Sequence, residues 1–101
     1  MNNTRRKEIK AIINRFDSIQ KKIEELTSMV EYAKSEIESV QWEEEESRDN
    51  IPESLQDSER YFKSDDACNN LSDAVDAVDE IIDALDISFD DVESLLESAM
   101  E

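Results

Sequence analysis

Apolar residues recur at alternating steps of three and four through the first half of the chain: Ile9, Ile12, Phe16, Ile19, Ile23, Leu26, Val30, Ala33, Ile37 and Val40. On a helix such steps draw a single stripe, the signature of a heptad seam. Ile9, Phe16, Ile23, Val30 and Ile37 take the a positions and the others take d. The second half repeats the pattern with Tyr61, Ser64, Cys68, Leu71, Val75, Val78, Ile82, Leu85, Phe89, Val92, Leu96 and Ala99, of which only Ser64 is polar. Between the two halves lies "EEEESRDNIPESLQDSE", where the seam lapses and the only proline, Pro52, appears. Asn50 before Ile51-Pro52 reads as a turn, with Pro52 suited to the first turn of a new helix and Ser54 with Asp57 as a second capping pair. Thr4 or a neighbouring asparagine caps the start.

This pattern predicts an all-α chain, a long antiparallel helical hairpin of coiled-coil type forming a single domain over residues 1–101. Helix 1 spans about 4–47, the turn about 48–53 and helix 2 about 54–99. Ser88, in "DISFDDVES", marks the one place where helix 2 can break, but the heptad phase runs through it and continuity is expected. Folding near Asn50 sets Val40 against Tyr61, Ile37 against Ser64, Val30 against Leu71, Ile23 against Val78 and Phe16 against Leu85. A seven-residue slip also satisfies the pattern.

The apolar stripe is broader than a two-stranded seam needs. Ala67, Ala74, Ile81 and Leu95 occupy g positions, and Ile13 and Met29 flank the seam of helix 1. A wide stripe packs against more than one helix. Self-association into a four-helix bundle, a homodimer using Met29, Ile81 and Leu95, is the expected use, with burial in a partner's groove as the alternative. Three aromatics lie off the seam, Tyr32, Trp42 and Phe62. Trp42 and Phe62 flank the turn and are expected to pack on each other; the other reading is an exposed anchor for a partner.

Composition narrows the function. The chain has 101 residues, no glycine and no histidine, and 39% of its residues are charged. Without glycine there are no phosphate-cradling loops and no left-handed helix caps. Without histidine the common zinc sets and the Glu-x-x-His di-iron motif are missing. Cys68 is the only cysteine and falls at an a position, where a packed thiol is expected. The aspartates of "DAVDAVDEIID" lack the central glycine of a calcium loop. The expectation is a non-enzymatic protein without cofactor or metal. The N-terminal "MNNTRRKEIKAII" lacks an apolar signal core, and no run approaches a membrane span, so a cytoplasmic location is expected.

Net charge is −17, unevenly placed. Residues 1–22 hold seven Lys or Arg against Glu8 and Asp17, whereas Asp65 to Glu101 holds thirteen acids and no base. The hairpin lays the basic segment beside residues 79–97. Asp73, Asp76, Asp79, Glu80, Asp83, Asp86 and Asp90 form an outer acidic face. Thirteen acids along the second helix give one charge per roughly 4 Å of axis, near the roughly 3.4 Å of a single DNA strand. Such a rod fits a groove shaped for phosphates; the alternative is a solvated face that keeps the bundle soluble. Direct nucleic-acid or membrane binding is not expected, because the acidic helix repels phosphates.

The turn "DNIPESLQDSERY" after an opening "RRKEIKAII" resembles a group of small acidic coiled-coil proteins of phages and prophages of Gram-positive bacteria. The matching residues are Arg5, Arg6, Asn50, Pro52, Glu53, Ser54, Leu55, Gln56, Ser58 and Glu59. The chain departs from that group by extending past Leu85 with "DISFDDVESLLESAM". The resemblance implies a phage-encoded protein in a bacterial host. There it implies an inhibitor of a host nucleic-acid-dependent defence protein, engaging a basic surface through a DNA-mimic-like acidic helix. The competing expectation is a structural coiled-coil adaptor or assembly protein acting through its apolar edge.

Overall fold

A computed structural model describes residues 1–101 and is entirely helical outside its turns. Helix α1 runs Asn3–Asp49, a short 3-10 turn covers Glu53–Leu55, α2 runs Glu59–Ala84 and α3 runs Asp90–Met100. The chain divides into two compact units. A terminal unit comprises Met1–Ser28 with Leu85–Glu101, and a turn unit comprises Met29–Ala84.

No residue adopts a positive φ, so every helix end is made without the left-handed cap that glycine supplies. At the start of α1, Asn2 Oδ1 accepts the Arg5 amide at 2.8 Å, an N-cap bond to the third helical residue. At its end, the amide of Asn50 reaches Glu46 O at 3.0 Å and that of Ile51 reaches Arg48 O at 3.1 Å. Pro52 then stops the helix: it has no amide, holds φ −54° and ψ 141°, and restricts Ile51 before it.

The second helix departs from its predicted bounds at both ends. It begins at Glu59 rather than near residue 54, because the 3-10 turn follows Pro52 and the working cap is Ser58, whose Oγ accepts the Tyr61 amide at 3.3 Å. It also ends at Ala84, so the expected continuity through Ser88 is overturned. Ile87 N bonds back to Leu85 O at 2.9 Å, and Ser88 Oγ takes the Asp90 amide at 3.2 Å. A serine hydroxyl that binds a nearby amide offers the backbone an alternative to the helical bond. Asp90, Asp91 and Glu93 then fill the first turn of α3, where the helix dipole favours negative charge. These three local terms outweigh an unbroken heptad phase.

In the turn unit, the C-terminal part of α1 and α2 run antiparallel. Glu44 accepts a hydrogen bond from Ser64 Oγ at 2.7 Å, Arg48 meets Asp65 at 3.0 Å and Lys34 meets Asp79 at 2.6 Å. This corrects the register. Ser64 was expected opposite Ile37 and instead pairs with Glu44, one heptad later. Turn and register are a single error, since a helix pair folding about residue 54 is displaced by seven residues from one folding about 50–51. The buried residues of the whole chain gather beside this turn: Cys68 (3% exposed), Ile51 (6%) and Ser64 (8%).

In the terminal unit, the first part of α1 lies antiparallel to α3. The Phe16 and Phe89 rings meet at 5.2 Å between centroids, tilted by 46°, where Leu85 was expected opposite Phe16. Arg6 Nε donates to Met100 O at 3.0 Å. No ion pair joins the basic residues 5–22 to the acids of 79–97, so the expected charge pairing along this stretch does not form.

The seam itself is rotated on α1. The a residues are partly covered as expected, but the d residues Ile12, Ile19, Leu26, Ala33 and Val40 are exposed. The column four residues after each a position is covered in their place: Ile13, Gln20, Thr27, Lys34, Gln41 and Arg48. These side chains are satisfied where they stand. Thr27 Oγ1 donates to Ile23 O at 2.8 Å and Gln41 Nε2 to Glu45 Oε1 at 3.2 Å, while Lys34 and Arg48 hold the ion pairs above. The same rotation holds in α3, which covers Phe89, Glu93, Leu96 and Met100 and exposes Val92, Leu95 and Ala99.

Candidate functional site

The seven acids singled out from the sequence do not form one continuous row. Asp73, Asp76, Asp79, Glu80 and Asp83 stand on α2 in the turn unit; Asp86 lies in the segment after α2, and Asp90 opens α3 in the terminal unit. Within the turn unit six of the eight acids of α2 fall into two sets. Asp65 and Asp79 point toward α1 and are held by Arg48 and Lys34, so Asp79 leaves the candidate face. Hydrogen bonding to the Asp79 carboxylate raises the Lys34 ammonium above its usual pKa, with attraction to Glu38 and Glu31 adding to it.

Asp73, Asp76, Glu80 and Asp83 are exposed and have no cation within ion-pair distance. Their steps of three, four and three place them on one helical face. Four carboxylates over ten residues occupy roughly 15 Å of axis, about one charge per 5 Å at its ends and centre. The arrangement is a short ridge of fixed negative charge on a helix whose opposite side is packed.

Chemistry beyond charge is sparse. No group of three or more Cys, Asp or Glu side chains stands where it could hold a metal ion. Cys68 is buried, and burial pushes its thiol pKa up, partly offset by Arg48; a raised thiol is a poor nucleophile. In the terminal unit the Glu93 carboxyl is held above its ordinary pKa. It is raised first by hydrogen bonding to Asp17, then by burial and by repulsion from Asp17, Asp90 and Glu97. An open cleft beside it is lined by Gln20, Glu24, Ile87 and Ser88, with no basic partner to turn the pair to acid–base work. No helix is long and apolar enough to cross a membrane.

The residues chosen for self-association are exposed. Leu95 is 72% exposed, Met29 69% and Ile81 50%. The aromatic expectation fails: Phe62 meets Tyr61 edge-on at 6.1 Å, and both Trp42 and Phe62 stay exposed. The sequence reading missed the larger apolar feature, the α1 groove formed by Ile19, Ile23 and Leu26 between Arg15, Ser18 and Lys22. Its signal was present in the heptad, but the d column had been assigned to the intrachain seam.

Searches of protein-family models, curated proteins and solved structures find no match to this chain.

Proposed function

We propose that the chain is a non-enzymatic binding protein that presents the acidic ridge of α2 to a basic surface on another protein. The supporting observation is the sorting of acids on α2: Asp65 and Asp79 are neutralised by α1, whereas Asp73, Asp76, Glu80 and Asp83 are left facing outward with no counter-charge. A helical ridge with one charge per about 5 Å, sparser than the roughly 3.4 Å of a DNA strand but of the same sign and linear form, suits a basic cleft and steers a positively charged partner at long range. Together with the resemblance of the turn to small acidic phage proteins, this makes a host nucleic-acid-dependent defence protein the target class, bound in the bacterial cytoplasm and inhibited by occupation of its basic cleft.

The test is capture from bacterial lysate at low salt, eluted by a salt gradient, with wild-type protein beside Asp76→Lys/Glu80→Lys/Asp83→Lys. The expected result is that a nucleic-acid-processing protein elutes at moderate salt from the wild type and is not retained by the variant, while circular dichroism is unchanged. Equal retention by both overturns the proposal.

A second reading has its own observation. The exposed apolar residues of α1 and α3 favour a structural coiled-coil role, a self-associating helical hairpin working through its apolar face. Partner retention that survives high salt, and is lost on changing those residues, supports this reading against the first.

A further inference from the structure

We infer that α3 is a proton-sensitive arm, docked on α1 when Asp17 and Glu93 share a proton across the contact and released when both carboxyls are charged. The inference is independent of the acidic-ridge proposal and uses none of its residues.

The arm is short and its hold is slight. Helix α3 has 11 residues and follows a non-helical stretch, residues 85–89. A helix of that length is marginal by itself in water, so its order comes from packing on α1. Three apolar side chains of the arm are covered, Phe89, Leu96 and Met100, each only half-buried. The Phe16 and Phe89 rings meet at 5.2 Å, and Arg6 Nε adds one hydrogen bond to Met100 O at 3.0 Å.

The remaining covered position of α3 is a carboxyl. Glu93 follows Phe89 by four residues and precedes Leu96 by three, so it belongs to the same face, and it is half-buried with them. Across from it stands Asp17. The two line one open cleft from opposite helices, with their carboxyls in hydrogen-bonding contact. Two carboxylates are acceptors only, whereas a protonated carboxyl donates its O–H to the other. One proton therefore makes this contact, and its loss turns the contact into like-charge repulsion.

The surroundings do not replace that proton. Helix α1 brings Glu24 and Gln20 to the cleft, the connecting stretch brings Ile87 and Ser88, and α3 brings Asp90. Glu97 stands one turn further along α3 and adds to the repulsion. Lys10 and Lys21 share the flank of Asp17 on α1, at about 100° per residue. Neither they nor any other base lies within ion-pair distance of Asp17 or Glu93. The Glu93 pKa is raised accordingly, first by the bond to Asp17. Docking thus takes up a proton, and the docked form gains as pH falls through the raised value. The helix alone has no such clear response. Acidification removes favourable charge from Asp90 and Asp91 in its first turn and unfavourable charge from Glu97 near its end.

The experiment is hydrogen exchange read by mass spectrometry on the whole chain at about pH 7.5 and about pH 5. Rates are corrected for the intrinsic effect of pH, and α3 peptides are read against α2 peptides, which carry the general effect of lower net charge. Protection of α3 relative to α2 is expected to rise about threefold on acidification. Asp17→Asn places an amide donor opposite Glu93 while leaving α3 itself unchanged, and is expected to give the higher protection at both pH values. Relative protection that is equal at the two pH values in the wild type, or a rise that survives in Asp17→Asn, overturns the inference.

Discussion

The hydrogen-bonded pair of Glu44 and Ser64 is expected to select the register of α1 on α2. Two registers one heptad apart satisfy the apolar pattern. In the observed one, Ser64 Oγ donates to the Glu44 carboxylate at 2.7 Å, a hydrogen bond to a charged group worth about 1.5–3 kcal/mol. In the slipped one Ser64 faces Ile37, and leaving its hydroxyl unsatisfied costs about 1–3 kcal/mol. The pair therefore separates the registers by roughly 3–5 kcal/mol, and the Ser58 cap adds about 1 kcal/mol. Replacing both residues, Glu44→Leu/Ser64→Val, removes the first contribution and leaves the cap, so the slipped register rises from a trace to on the order of a tenth of molecules. Overall stability does not fall, because an apolar pair, buried at position 64 and half-buried at position 44, replaces the polar one. Zero-length carbodiimide coupling reads the register directly. Lys34 lies 2.6 Å from Asp79, whereas a seven-residue slip sets it level with Ser72, within reach of Asp73 and Asp76. Lys34 also stands 4.0 Å from Glu38 on its own helix, so only its products with α2 report the register: the wild type is expected to yield Lys34–Asp79 as the sole such product, and the double variant to add Lys34–Asp73 or Lys34–Asp76. A double variant whose sole product with α2 is still Lys34–Asp79 refutes the reasoning and assigns the register to the turn.

Ser58→Ala removes the bond to the Tyr61 amide and is expected to cost about 1 kcal/mol, a fall of roughly 4–8 °C in melting temperature; an unchanged melting curve rejects Ser58 as the working cap. Glu93 has a folded pKa above its unfolded value, so its favourable contribution is present below the unfolded pKa and is lost as pH rises through the folded one. Thermal stability followed from pH 7 into the acidic range should therefore rise, and Glu93→Gln should flatten that rise and lift the melting temperature at neutral pH. Lys34 is raised in the same sense by Asp79; its contribution persists through neutral pH and is lost on alkaline titration, and Asp79→Asn should remove that alkaline step. Cys68, buried with its thiol pKa raised, should react with an aromatic disulfide reagent only as fast as the turn unit opens, and rapid labelling in native buffer contradicts its placement.

Helix content was legible because nothing in the chain competes with it: forty-seven residues from Asn3 to Asp49 contain neither glycine nor proline. The burial of Cys68 was legible from its a position. The start of α2 was not, because Pro52 with Ser54 and Ser58 with the Tyr61 amide are both plausible beginnings by residue type, and choosing the first moved the turn and the register together. The break after Ala84 was visible as Ser88 but lost to the heptad phase, which is blind to a local hydroxyl–amide bond. The acidic face was legible as composition and periodicity; that Asp79 is consumed by Lys34 depends on the register, so it was hidden by the same misplaced turn.

The choice of seam on α1 carries the argument furthest. With the a positions fixed, a second column completes the stripe, either d (Ile12, Ile19, Leu26, Ala33, Val40) or the one four residues after a (Ile13, Gln20, Thr27, Lys34, Gln41, Arg48). Apolarity favours the first without contest, yet the chain folds on the second. What the second offers is charge: Lys34 and Arg48 find Asp79 and Asp65 only when that column faces α2. Exposed ion pairs are weak contributors, and on their own they are poor compensation for leaving five apolar residues in water. The balance changes if those residues are covered by another surface, since a chain that buries only Ile51 and Cys68 among its apolar side chains has little core of its own to set against the ordering of 101 residues. On the self-associating reading, the polar column specifies the pairing within a copy, and the apolar column supplies the association between copies. Substituting the apolar d residues Ile12 and Ile19 with glutamate separates these roles. Stability that falls with dilution in the wild type, and is low and independent of concentration in the variant, is the outcome this division requires; equal stability of the two at every concentration rejects it.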